Sequence, residues 1–119
     1  MRLAETYLFR AEAYLGLENE ELAASDINEV RIRSNATPVA VEDVDIDYLL
    51  DERARELYGE ECRHITLRRG DKLVERVREY NNNPKNPGLN IQDHNKLWPI
   101  PLNQIDLNVD AVMDQNDGY

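Results

Sequence analysis

Arg53, Glu56, Glu61 and Arg63 stand within Asp51–Arg69, a stretch dense in charges of both signs. Leu50, Ala54, Leu57, Tyr58 and Ile65 recur through it at the spacing of one helix face. Glu61 falls on that same face, between Tyr58 and Ile65. A carboxylate turned toward a core costs free energy unless it is paired or hydrogen-bonded. The chemistry this spacing implies is ion pairing. Glu61 is expected to be buried, with arginines as its partners. Arg53, Glu56, Glu61 and Arg63 are the candidate cluster, structural and not catalytic. The rival reading leaves Glu61 wet at the rim of the stripe.

The remaining reactive groups form no catalytic or metal-binding set. His64 and His94 are the only histidines, with no H-x-x-x-H or C-x-x-C to complete a metal site. His64 reads as a surface or ion-pair residue. Cys62 is the only cysteine, so no internal disulfide forms. Arginines beside it would lower a thiol pKa, but a small residue filling a helix interface is the simpler reading. The acidic run Glu42–Asp47 lacks the Gly and Glu that a calcium loop needs at its sixth and twelfth positions. Those carboxylates fit the capping of a following helix. Asn35-Ala36-Thr37 matches a glycosylation sequon, a pattern common by chance. No phosphate-cradling glycine loop and no nucleophile elbow is present. No cofactor is expected, and a hydrolase has no paired site to work with. Trp98, beside Pro99 and Pro101, could stack on a sugar ring; a core plug fastening a non-helical tail is the favoured reading.

The elements that must position these residues follow from length and pattern. The chain has 119 residues, one domain's worth, with 32% charged and 7% aromatic residues. Its formal net charge of -10 opposes binding to nucleic-acid phosphates and to anionic lipid headgroups. No apolar run is long enough to span a bilayer. No signal peptide opens the chain, so as it stands it is expected to remain where it is made.

An all-α fold is expected. Leu3 to about Leu17 reads as a helix carrying Leu3, Tyr7, Ala11, Tyr14 and Leu15 on one stripe. A second helix runs from about Glu20 to Arg33, with Ala23, Ile27, Val30 and Ser34 on one side. The short link between them makes the pair antiparallel, and alanines allow close approach. Tyr7, Ala11, Tyr14, Ala23 and Ile27 match the bulky and small positions of a tetratricopeptide repeat, while Arg10 and Asn35 depart from it. One such pair cannot bury its faces alone. After a loop over residues 35–44 comes one long helix, about Asp47 to Arg68, ended by Gly70. A shorter helix follows from Lys72 to about Tyr80, capped by Asp71, with Leu73, Val74 and Val77 inward. Asn81–Gly88 is irregular. The tail beyond Leu89 has no clear period; Leu97–Pro101 is extended and Asn103–Asp106 makes one helical turn.

Several blocks resemble one family. Arg2–Tyr14 and Ile27–Arg33 are similar to the last helix pair of the SusD/RagB family. Leu50–Arg63 with Leu67–Arg69, Trp98–Asn108 and Gln115–Tyr119 resemble its later segments in the right order. His64-Ile65-Thr66 stands where the family commonly has an aromatic residue followed by Asp. Asp117 stands where Pro is usual.

The resemblance implies a nutrient-binding protein, not an enzyme, lipid-anchored at the outer-membrane surface of Bacteroidetes. It would hand oligosaccharides or other nutrients to a SusC-like TonB-dependent transporter. It also implies a C-terminal fragment, residues 1–119, of a longer mainly helical fold. The helix pair occupies 3–34, further helices 47–80 and a loop-rich tail 81–119. The anchor and the ligand-binding loops would lie upstream, so no ligand site is assigned. Apolar faces left open make dimerisation of the fragment or marginal stability the expectation. The alternative is a stand-alone helical-repeat adaptor that binds a protein partner on its concave face.

Overall fold

A computed structural model describes residues 2–119. Among them are six α-helices and no strand: α1 (Leu3–Gly16), α2 (Glu20–Arg33), α3 (Ile46–Glu56), α4 (Arg63–Arg69), α5 (Leu73–Tyr80) and α6 (Leu102–Leu107). Short 3-10 turns cover Val41–Asp43 and Asp93–Lys96. The all-α expectation holds. The chain divides into two compact units, one running to Thr66 and the other Leu67–Tyr119, with the boundary inside α4.

In the first unit, α1 and α2 form the expected helix pair. Glu18 takes a left-handed conformation (φ 55°) in the link, and the Asn19 side chain caps α2 by accepting from the Leu22 amide at 3.2 Å. Ala4, Ala11, Ala23 and Ala24 are buried between the helices beside Leu8 and Ile27. Small residues at the contact let two backbones approach closely enough for the larger side chains to interdigitate. The loop after α2 is pinned by Asn28. Its Nδ2 donates to the Val39 carbonyl (3.0 Å) and its Oδ1 accepts from the Val39 amide (2.7 Å). One side chain thus satisfies both backbone groups of Val39, and Val44 enters the core. Of the acidic run, Asp45 caps α3 by accepting from the Tyr48 amide at 2.7 Å.

The single long helix expected over Asp47–Arg68 is two helices. α3 stops at Glu56, the chain turns through residues 57–62, and α4 begins at Arg63. Gly59 supplies the turn with φ 75°, a left-handed conformation that favours glycine. The amides of Glu60 and Glu61 both donate to the Leu57 carbonyl, at 2.9 and 3.2 Å. Helical phase is lost there, so the apolar stripe does not continue. Leu50 and Leu57 are buried, Ala54 and Ile65 are exposed, and Tyr58 is 89% exposed. Cys62, read as an interface filler, lies exposed in the turn.

In the second unit, Leu67, Leu73 and Val74 are buried. Asp71 does not cap α5. It takes a left-handed conformation (φ 55°), and Lys72 holds the cap position, where its side chain makes no capping bond but pairs with Glu75 at 3.1 Å. The tail contains α6 where one helical turn was expected. Trp98 is no core plug: it is 61% exposed. The tail is fastened through backbone carbonyls instead. Asn116 Nδ2 donates to the Trp98 carbonyl (2.7 Å), Gln115 Nε2 to that of Ile100 (2.8 Å), and the Tyr119 hydroxyl to that of Leu97 (2.9 Å). Pro99 and Pro101 keep this stretch extended and leave those carbonyls open to side-chain donors.

Candidate functional site

The charged residues of the first unit fall into separate groups. Arg53 projects from α3 into the unit and is 1% exposed. Its Nη2 and Nε donate to Glu61 Oε2 at 2.8 and 3.0 Å. Thr66, buried in α4, donates its hydroxyl to the same oxygen at 3.1 Å. Arg63 Nη1 reaches Glu61 Oε1 at 3.3 Å and also donates to the Leu50 carbonyl at 2.8 Å. The Glu61 side chain is 7% exposed. The Arg53 guanidinium lies 4.5 Å from the Phe9 ring centroid, and its Nη1 faces Glu12 Oε2 at 4.0 Å. Arg53, Glu61 and Arg63 therefore meet.

Glu56 does not join them. It accepts from Arg33 at 2.6 Å and from Arg2 at 3.1 Å. Arg2 also donates to the Glu56 carbonyl (2.8 Å) and to Glu60 (2.6 Å). The helix explains the separation. Arg53 and Glu56 are three residues apart, but Arg53 turns into the unit while the Glu56 carboxylate faces α2 and the start of α1.

Two further groups were not singled out from sequence. Glu52, buried on α3, accepts from Arg31 at 2.6 Å and Arg55 at 2.8 Å, and both guanidiniums lie within 6 Å of the Tyr48 ring centroid. Asp26, buried on α2, receives a two-pronged bond from Arg10, Nε to Oδ2 and Nη2 to Oδ1, each 2.7 Å. That carboxylate raises the Arg10 pKa above its ordinary value, chiefly through the hydrogen bonds. Asp26 carried a readable signal: it shares the helical stripe of Ala23, Ile27 and Val30, as Glu61 was expected to share one on the single long helix over Asp47–Arg68. Glu52 sits one turn before Glu56, but its partner Arg31 lies 21 residues away, so pattern alone does not pair them.

The chemistry of this arrangement is positional. Glu61 meets four donors, three of them on Oε2 and one on Oε1, and all four belong to residues of α3 and α4. Among the described residues no group of His, Cys, Asp or Glu is placed to hold a metal ion. His64 is half-buried in α4, and His94 packs edge-on against Tyr119 with centroids 5.0 Å apart. Beside the network, Ala54, Leu57, Tyr58, Gly59, Glu61 and Arg63 line a shallow hollow of about 240 Å³. No helix among the described residues is long and apolar enough to cross a membrane.

Arginine–carboxylate pairs join the helix pair to the broken helix, and the sequence that builds this arrangement has known counterparts. The family model described as the SusD family matches residues 1–119. SusD-like protein P25 of Formosa agariphila is 34% identical over 126 aligned positions, which cover 99% of this chain and 24% of the relative. The chain belongs to the SusD family. It spans about a quarter of the length of that curated relative. No solved structure matches it significantly.

Proposed function

We propose that this chain is the C-terminal part of a nutrient-binding protein that captures glycan at the outer-membrane surface and passes it to a SusC-like TonB-dependent transporter. The family match over residues 1–119 is the observation that carries this reading. SusD-like proteins bind and do not transform their cargo, and the chain is read in the same way. Its own share of the work is scaffold. Arg53, Glu61 and Arg63 lock α3 to the turn and α4, while Glu56 ties α3 to Arg2 and Arg33. The donors around Glu61 support a structural role, because a carboxylate so committed is poorly placed to act as a general base. Contact with the membrane is through a lipid anchor on the longer protein.

The test starts with the genomic DNA upstream of Met1. An in-frame extension carrying a lipoprotein signal, beside a gene for a TonB-dependent transporter, is the expected finding. The complete gene product should then be retained on a neutral glycan array and co-purify with that transporter. A stop codon directly upstream, or a complete product that binds neither glycan nor transporter, overturns the reading.

A further inference from the structure

Arg53 holds more donors than Glu61 takes. Its Nε and Nη2 donate to Glu61 Oε2. The buried Nη1 makes no hydrogen bond to any described residue. A buried donor in that state costs free energy and asks for a reason. Glu12 of α1 supplies one, because its Oε2 lies 4.0 Å from Nη1. That separation is too long for a hydrogen bond but close enough for charge attraction. The Glu12 side chain is 18% exposed, so water screens the attraction only in part. The Phe9 ring, 4.5 Å from the guanidinium, attracts the cation without dictating which donor points where. One buried arginine thus faces two carboxylates, one bonded and one a short way off.

The segment that carries Glu61 has the make-up of a hinge. Gly59 takes φ 75°. The Glu60 and Glu61 amides share a single acceptor, the Leu57 carbonyl. From outside, Arg2 holds Glu60 through an exposed ion pair, a kind of contact that contributes little. A short loop with sparse backbone bonding opens at a lower free energy than the helices beside it. Loss of Glu61 from a lone Arg53 would strand a buried charge and oppose any such opening. Glu12 offsets part of that cost.

We propose that Glu12 is a reserve counter-ion, and that Arg53 switches from Glu61 to Glu12 when the turn over residues 57–62 opens. In the closed state Glu61 holds Nε and Nη2. In the open state Nη1 closes on Glu12, so α3 stays against the helix pair while the turn moves. Phe9, Glu12, Arg53 and Glu61 all belong to the first unit. The device goes beyond the scaffold role, which needs only the closed state, and it is independent of the nutrient-binding reading.

Native-state hydrogen exchange of the chain and of Glu12→Gln tests this, under conditions where exchange follows the opening equilibrium. The substitution keeps the size of the side chain and removes the charge that the open state needs. Exchange at the Glu60 and Glu61 amides should slow by about fivefold, although the variant is no more stable overall. Support of the closed structure alone predicts the opposite sign. Unchanged or faster exchange at these two amides overturns the proposal. Urea unfolding gives a second reading, because each carboxylate covers for loss of the other. Glu12→Gln with Glu61→Ala should lower the folding constant by about fivefold beyond the product of the single losses. In an Arg53→Met background that excess should vanish. Losses that simply multiply, or an excess that survives without Arg53, overturn the switch. Should the double variant not fold, the exchange of Glu12→Gln decides.

Discussion

Arg53 and Glu61 are joined across a break between two helices, with Nη2 and Nε of the guanidinium 2.8 and 3.0 Å from one carboxylate oxygen. An unbroken helix would set their Cα atoms about 12 Å apart along its axis. The turn through Gly59 brings Glu61 back beside α3, and the ion pair holds that turn in place. Removing one member of a buried pair leaves the other charge unmatched. Glu61→Ala should therefore lower stability by about 3 kcal/mol, with Glu61→Gln losing less because it still accepts from Arg53. Equilibrium urea unfolding measures both. An alanine variant with the wild-type midpoint would refute the pairing's role.

Asp26 and Arg10 bind α2 to α1 with unequal exposure: the carboxylate is buried, while the guanidinium side chain is 56% exposed. Water screens the arginine, so the pair contributes less than the one at Glu61. Asp26→Ala should lower stability only modestly, because water solvates the donors of the exposed Arg10 once the carboxylate is gone. Arg10→Ala is the more severe test of burial, because it leaves an unpaired carboxylate inside. Urea midpoints for the two single variants and the double variant give the coupling. A coupling of zero would mean the bond adds nothing in solution.

Gly118 holds the C-terminal clasp at φ 92°, and a Cβ there would meet the His94 ring at 2.6 Å. Both the conformation and the space require glycine. Gly118→Ala should destabilise the clasp by about 1–2 kcal/mol. Amide hydrogen exchange at Leu97–Tyr119 should quicken while α1 and α2 stay protected. Unchanged protection of the tail would show that the His94–Tyr119 contact does not fasten it.

Lys96 bridges Asp71 at 2.9 Å and Asp93 at 3.2 Å. Hydrogen bonds to these two carboxylates, Asp71 first, raise its pKa above the ordinary lysine value. A group whose pKa is raised on folding contributes stability that is complete below its unfolded pKa and is lost as pH climbs through the folded one. The window therefore opens near pH ~10.4 and extends upward. Lys96→Met should be less stable than wild type at neutral pH, and the gap should close as pH rises beyond that value. Thermal melts at a series of alkaline pH values would show this; a gap that widens would reverse the sign of the linkage.

Some of the architecture and part of the candidate site were legible in advance. Within the helix pair, Ala11, Ala23 and Ile27 follow helical spacing, and Asp45 of the acidic run caps the next helix, whereas Asp71 does not cap α5. Asp26 was open to the reasoning applied to Glu61, since each was a carboxylate set in an apolar stripe. Glu56 was grouped with Arg53 by closeness along the chain, although its partners Arg2 and Arg33 lie 54 and 23 residues away. Trp98 was assigned to the core by residue type, whereas the bonds that fix its segment run to carbonyls, which sequence does not distinguish.

By itself the sequence determined the helical class, the α1–α2 pair, the need for Glu61 to find a partner, and the family. These depend on residues three or four apart or on a pattern spread along the whole chain, both of which are written in the order of the residues. Only the tertiary structure decided where the long helix breaks, which arginine each carboxylate meets, and that the tail is fastened through backbone carbonyls with Trp98 exposed. Those outcomes depend on distances between segments remote in sequence. One glycine at φ 75° shifts the phase of everything after it, and so decides which charges come within 3 Å of one another.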